Sequence, residues 1–299
     1  MNSIGSAYYN THLQNQFAKL QNAQAEAQAK ISSGRKFTQA SEDPASALET
    51  QRISLRRQEM EGDGHRRDLA TRINDVAALT AQQTRDALDE LSLKIELAYE
   101  TGPGSADNAN FGASVDQAIE QAASMLNLDL EGRFLFGGSE TAQPPFEIVR
   151  DAEGAITEVL YNGSTDPLEF DIGLDVRMDP AGNPALNPSW SDWMNNLLTA
   201  KTDFENGNFT ASKEALNAAG ESGQRAFAAT TDIIGKATRI ATLSEWSGQA
   251  DTQLSDQEAR LQEIDLNASI LQFNELQRNY QASLQSGRLL MTLSLVDFL

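Results

Sequence analysis

His12 and His65 are the chain's two imidazoles, and it holds no cysteine. A metal centre needs several nitrogen or sulfur ligands at close spacing. The two histidines stand 53 positions apart with no matching His or Cys beside them, so surface or packing roles suit them better. The lack of cysteine excludes disulfides, thiolate metal sites and Cys nucleophiles. Carboxylates are the remaining candidates. Asp166, Asp171, Asp175 and Asp179 form a concentration that an enzyme could use, but in a chain with 43 Asp and Glu such proximity arises by chance, and no pair has a glycosidase-like arrangement. Arg52, Arg56, Arg57, Arg66 and Arg67 could suggest phosphate binding. Glu59, Glu61, Asp63 and Asp68 interleave them, which reads as a solvated or intersubunit ion-pair face. Gly137-Gly138 lacks the further glycines of a phosphate cradle and reads as a bend. No GxGxxG, Walker A, HExxH or GxSxG motif occurs. Catalytic, cofactor-binding and metal residues are therefore all assigned as none, and an enzyme is not expected.

Composition points the same way. Lys and Arg number 23 against 43 Asp and Glu, a net charge of −20 at pH 7. A surface that negative repels phosphate backbones and anionic lipid, so neither nucleic acid nor membrane is expected as a partner. Hydrophobic residues make up 40% of the 299, enough for a core and roughly two domains. The start MNSIGSAYYN has no charged and apolar signal-peptide regions. No stretch reaches the roughly 18 apolar residues of a membrane span, and the mean hydropathy is −0.44. A route out of the cell that needs no cleaved signal stays open.

The elements that would position any site divide around proline. Six of the eight prolines fall between residues 144 and 188, so long helices are possible on either side and the middle is not one. Leu13, Phe17, Leu20, Ala27 and Ile31 recur at helical steps, with one step on Gln24. Asp43-Pro44 reads as a helix restart, Asp43 capping and Pro44 opening the first turn. Leu69, Ile73, Val76, Ala87, Leu91, Ile95 and Ala98 form a second stripe. Residues 102–112 read as a loop, and Ser114 with Gln117 as a capping box opening a helix with Val115, Ile119, Ala122 and Leu126 on one face.

The middle changes period. Phe146–Arg150 and Ala155–Tyr161 read as a hairpin about Asp151–Gly154. Leu168, Phe170, Ile172, Leu174, Val176 and Met178 alternate along one strand face. Residues 137–188 hold ten acidic residues against Arg150 and Arg177, which suits a small, exposed β domain. Helix returns near Ser189 with Trp190, Trp193, Met194, Leu197 and Leu198. The last stripe is Leu266, Ile270, Phe273, Leu276, Tyr280, Leu284, Gly287, Met291, Leu295 and Phe298. As one helix it would run about 50 Å, so both ends are expected to project as rods that need a partner, first each other and then neighbouring copies. Three Asn-x-Ser/Thr sites at Asn162, Asn208 and Asn267 are read as coincidental.

The segment ISSGRKFTQASEDPASAL (residues 31–48) resembles the N-terminal signature of the flagellin superfamily, with Glu42-Asp43 where Asp-Asp is usual. GRFLFGGSETAQPPF (132–146), EIDLNASILQFNELQRNYQASLQ (263–285) and the ending SLVDFL (294–299) are similar to the flagellar hook-associated proteins of the hook–filament junction. The resemblance covers roughly 1–146 and 189–299. It implies terminal helices paired as a coiled coil on the inner wall of a hollow tube, and export unfolded through the flagellar type III channel with an export chaperone. It also implies placement between the first hook-associated protein and flagellin, in a ring-like homo-oligomer on the extracellular flagellum.

The expected fold is thus α+β and elongated: long N- and C-terminal helices pairing as a coiled coil, a helical body and a small inserted β domain. The expected divisions are 1–45 with 264–299, 46–136 with 189–263, and 137–188. The expected function is a structural adaptor joining hook to filament, the alternative being a divergent flagellin that forms the filament itself. The expected assembly interface is Leu13, Phe17, Leu20, Ile31, Ile270, Phe273, Leu276, Tyr280, Leu284, Met291, Leu295, Phe298 and Leu299.

Overall fold

The computed structural model describes residues 3–101 and 110–296, with the side chains of 3–10, 13 and 289–296 outside the description. In chain order it forms α1 (Ser3–Ser33), α2 (Pro44–Thr101) and α3 (Phe111–Leu126). Then come β1 (Asp129–Leu130), β2 (Arg133–Phe134), β3 (Phe146–Arg150), β4 (Ile156–Tyr161), β5 (Phe170–Asp171) and β6 (Arg177–Met178). The helices α4 (Pro188–Glu205), α5 (Phe209–Gln262) and α6 (Leu266–Val296) complete the order, so the class is α+β. The chain forms two compact units, one of residues 1–59 and 249–299, the other of 60–248.

Local chemistry sets the helix boundaries. Asp43 Oδ1 accepts a hydrogen bond from the Ser46 amide at 3.1 Å, an N-cap bond, and Pro44 opens α2 where no amide is needed. Asp265 caps α6 the same way, accepting from the Ala268 amide at 3.0 Å. The Ser114 expectation needs correction. α3 begins at Phe111, and the Ser114 hydroxyl lies inside the first turn, donating to the Phe111 carbonyl at 2.7 Å. The expected face is buried all the same: Val115, Ile119, Ala122 and Leu126, joined by Phe111 and Ala123.

The unit of residues 60–248 carries the main core. Leu88, Leu91 and Ile95 from α2, Ile119 and Leu126 from α3, Trp190, Met194 and Leu197 from α4, and Ile233 from α5 are all fully buried there. Small residues line the α5 contribution, with Ala215, Ala219, Ser222, Ala226 and Ala229 inside. Close backbone approach is the gain from such residues, as Gly223 shows: a Cβ there would stand 3.1 Å from the Trp193 indole.

Three two-stranded antiparallel ribbons are present among the described residues. β1 and β2 pair through a two-residue turn in which Glu131 and Gly132 both have positive φ, 54° and 79°, the type I′ geometry. β3 and β4 form the expected hairpin, with a register shift at Val149/Arg150. Two asparagines fasten its strands to the helices. Asn127 brackets Phe146, accepting its amide at 2.9 Å and donating to its carbonyl at 2.7 Å. Asn195 of α4 does the same for Val159, at 2.7 and 2.9 Å.

The alternating run 168–178 is not one strand. It folds at Gly173, Leu174 and Asp175, all at positive φ, into the β5–β6 ribbon. Ile172 and Met178 are buried beside Ala70, Ile240 and Leu243, whereas Leu174 at the turn is exposed. Gly173 is required, since a Cβ there would collide with the Asp63 side chain. The Gly137-Gly138 bend is as expected: Gly138 has φ 61°, and a Cβ on it would strike the Ser164 and Asp166 carbonyls.

Candidate assembly interface

The terminal helices meet through the links that follow and precede them. Gly34 leaves α1 at φ 68°, and its carbonyl accepts from the Ile264 amide at 3.3 Å. The Lys36 amide donates to the Gln262 carbonyl at 2.6 Å, and Arg35 bridges Glu263 in antiparallel fashion. From there α1 and α6 run side by side in opposite directions. Phe17 stands edge-on to Tyr280, with ring centroids 6.2 Å apart and an interplanar angle of 82°, a favoured aromatic geometry. Two turns further along α6, Gly287 is buried and leaves room for the same ring: a Cβ on it would lie 3.4 Å from Phe17 Cζ.

The structure brings most of the expected interface residues to this pair and divides them. Phe17, Leu20, Ile31, Phe273, Leu276 and Tyr280 are half-buried. Ile270 and Leu284 remain 44% and 43% exposed. Leu266 and Leu271 are more exposed still, and Leu271 lay outside the stripe read from the sequence. Leu13, Met291 and Leu295 lie on the helices with side chains outside the description, and Phe298 and Leu299 lie outside the described residues. Pairing with α1 thus covers one part of α6 and leaves large aliphatic groups in water, the condition of a surface that gains by meeting another chain.

Electrostatics order the link between α1 and α2. Glu42 receives Lys30 Nζ at 2.7 Å and the Thr38 hydroxyl at 2.9 Å. Those hydrogen bonds to the ionised carboxylate lower its pKa from 4.5 to about 2, Lys30 first and Thr38 next. Asp43 is lowered as well, mainly by the Ser46 hydroxyl and amide. Beyond the link, Arg57 of α2 reaches α5, with Nε 2.8 Å from Asp251 and an Nη 3.0 Å from Glu258.

The other expected chemistry resolves into structure. Arg52, Arg56 and Arg66 pair with Glu49, Glu59 and Asp63 one turn away, a solvated ion-pair face. Arg67 departs from that expectation. It is 4% exposed and donates to the Ile172 carbonyl at 3.1 Å and the Ser247 hydroxyl at 2.8 Å, tying the turn that follows β5 to α2 and α5. Of the four aspartates, Asp166, Asp171 and Asp175 are exposed and Asp179 is buried. Asp179 forms part of the wall of a pocket of about 190 Å³ with Leu69, Ile73, Phe134 and Phe170. Its two oxygens accept from the Leu168 and Ala181 amides, both at 3.0 Å, so the carboxylate organises a loop. Burial pushes its pKa up, opposed by those two amides. Among the described residues no group of three or more His, Cys, Asp or Glu is placed to hold a metal ion. No described helix is long and apolar enough to cross a membrane.

No family model matches the sequence, and no curated protein matches it. Solved structures do match in fold. A Vibrio parahaemolyticus protein described as a flagellar hook-associated protein superposes with a TM-score of 0.62 at 15% identity, covering 74% of this chain and all of that one. FlgL from Bacillus cereus gives a TM-score of 0.51 at 18% identity, over 73% of this chain and all of its own. The flagellar junction protein FlgL from Legionella pneumophila gives 0.51 at 10% identity, with the same coverages. The chain has the fold of these flagellar proteins.

Proposed function

We propose that this chain, having the fold of solved flagellar hook-associated proteins, is a structural subunit of the bacterial flagellum that joins hook to filament. The observation that carries the reading is the likeness of fold over about three quarters of the chain and the whole length of the matched proteins. The motifs at residues 31–48, 132–146 and 263–299 support it independently, because they resemble the same family in sequence. The half-covered α6 supports it physically.

In this reading residues 1–45 and 264–299 form the terminal coiled coil, 46–136 and 189–263 the helical body, and 137–188 the outer β domain. Leu13, Phe17, Leu20, Ile31, Ile270, Phe273, Leu276, Tyr280, Leu284, Met291, Leu295, Phe298 and Leu299 supply the assembly surface. Phe17, Tyr280 and Gly287 set the register of the helical pair, and the aliphatic groups left in water, Ile270 and Leu284 among them, pack on neighbouring copies. The partners are further copies in a ring, the first hook-associated protein on one side and flagellin on the other. An export chaperone attends passage through the type III channel. The work is done by packing, without catalysis.

Deleting the gene tests the reading. Bare hooks, with flagellin released as monomer into the medium, are the expected result by electron microscopy and immunoblot. Loss of filaments without release of another flagellin would assign the chain to the filament itself, and unchanged filaments would overturn the proposal.

A further inference from the structure

Within the unit of residues 60–248, α2 and α5 leave an open groove of about 660 Å³. Leu93, Leu216 and Phe227 supply apolar walls, and Leu93 and Phe227 are 65% and 53% exposed. Gly220 and Gly223 remove side chains from the α5 wall, so that the Trp193 indole lies beneath Gly223. The rim carries Asp89, Glu96 and Glu221 against the single cation Arg85, which stands 5.4 Å from the Phe227 ring centre and 3.8 Å from Asp89. Among the described residues Glu96 and Glu221 make no ion pair. The groove therefore suits a helix that offers aliphatic groups flanked by cations.

The same chain carries such a helix face in its other unit. Leu48, Arg52, Leu55 and Arg56 follow each other on one side of α2 at steps of four, three and one, a face about 100° wide that leaves the buried Ile53 outside it. Leu48 and Leu55 are 52% and 53% exposed. Among the described residues Arg52 and Arg56 are engaged only by exposed carboxylates of their own helix, Glu49 at 3.5 Å and Glu59 at 3.1 Å. Exposed pairs of this kind hold their partners weakly, so both guanidinium groups are free to exchange them.

We infer that the Leu48–Arg56 face of one copy seats in the α2–α5 groove of a second copy, Leu48 and Leu55 against Leu93, Leu216 and Phe227, Arg52 and Arg56 against Glu96 and Glu221. The two surfaces are different, so the contact is head-to-tail and propagates from copy to copy, as a ring or helical lattice requires. This rests on the reading of the chain as an assembling subunit, and supplies that reading with a specific contact outside the terminal helices.

The absence of native cysteine makes the test direct. Leu55→Cys and Gly220→Cys are introduced together into the full chain in flagellated cells. A Cβ at position 220 meets nothing within 4 Å, so the substitution fits. Mild oxidation of isolated flagella is expected to give dimers and higher species from the double variant and none from either single variant. Arg52→Glu with Arg56→Glu is expected to lower the yield by about tenfold or more, and adding Glu96→Arg with Glu221→Arg to restore it. A dimer from one single variant would mean a symmetric contact and would overturn the inference. So would capture of a different protein by a photoactivatable thiol reagent at position 220. A chain present in the flagellum but not cross-linked would overturn the contact while leaving the proposed function in place. A chain absent from the flagellum would overturn both.

Discussion

Single side chains in this molecule act mainly by ordering backbone. Asp179 is the clearest case, because each of its oxygens takes one amide of a different segment, at Leu168 and Ala181. Asp179→Asn removes the desolvated charge but replaces one acceptor with a donor facing an amide. The net expectation is a loss of about 1–3 kcal/mol, read from the midpoint of urea unfolding. Glu131 presents the reverse opportunity. It occupies the first left-handed position of the β1–β2 turn at φ 54°, a conformation that asparagine adopts more readily. Glu131→Asn is expected to stabilise by about 0.5 kcal/mol, and an unchanged or lowered midpoint would refute the turn geometry. Neither position is marked by its residue type. Asp179 is one of many acids in a chain with 43, and glutamate gives no turn signal, so both roles emerge only when the fold brings their partners near.

At the scale of elements, legibility follows whether a local rule acts without competition. The Asp43-Pro44 restart, the α4 face from Trp190 to Leu198 and the β3–β4 hairpin were all readable because cap, period and turn agreed. The run from Leu168 to Met178 misled because period-two alternation persists through a hairpin whose turn includes Leu174, a bulky residue at φ 56°. Ser114 misled because a hydroxyl that can cap can also bond backward to a carbonyl inside the helix. The α5 core escaped notice since alanine and serine produce little contrast with the surface. The clamps at Asn127 and Asn195 had no signal at all. Asn195→Ala leaves the Val159 amide and carbonyl to find water, and is expected to cost about 1–3 kcal/mol, with faster amide exchange across Ile156–Tyr161 as the specific readout. The 34–43 link makes a second element-scale expectation. The folded pKa of Glu42, about 2, lies below its usual 4.5, so its contribution is complete above about 4.5 and fades as pH falls through 2. Cleavage of the link by pepsin should rise over that window, and Glu42→Gln should abolish the rise.

For the molecule as a whole, the terminal helices were legible as stripes, but their two roles were not. The same periodicity describes residues that face α1 and residues that face water, so Phe273 and Leu284 look alike until α1 is placed. That distinction sets a further expectation. Leu284 is 43% exposed, and Leu284→Asp should shift the stability of the isolated protein by less than about 0.5 kcal/mol. On the proposed reading, in which α6 packs against neighbouring copies, the same carboxylate would be buried unpaired at a cost of several kcal/mol. A soluble variant that is absent from purified flagella is the expected outcome, and normal incorporation would show that this side chain meets no neighbour.

The antiparallel pairing of α1 with α6 also has a consequence for synthesis. A ribosome completes α1 at Ser33 and does not begin its partner until Leu266, more than two hundred residues later. At roughly 5–20 residues per second, the first helix waits on the order of ten seconds or longer with Phe17, Leu20 and Ile31 uncovered. Its sequence answers that delay with restraint, since Gln24 and Ala27 occupy the middle of the stripe. An α1 richer in leucine would bind its partner more tightly once folded, and would spend the interval exposed to every other nascent chain in the cell.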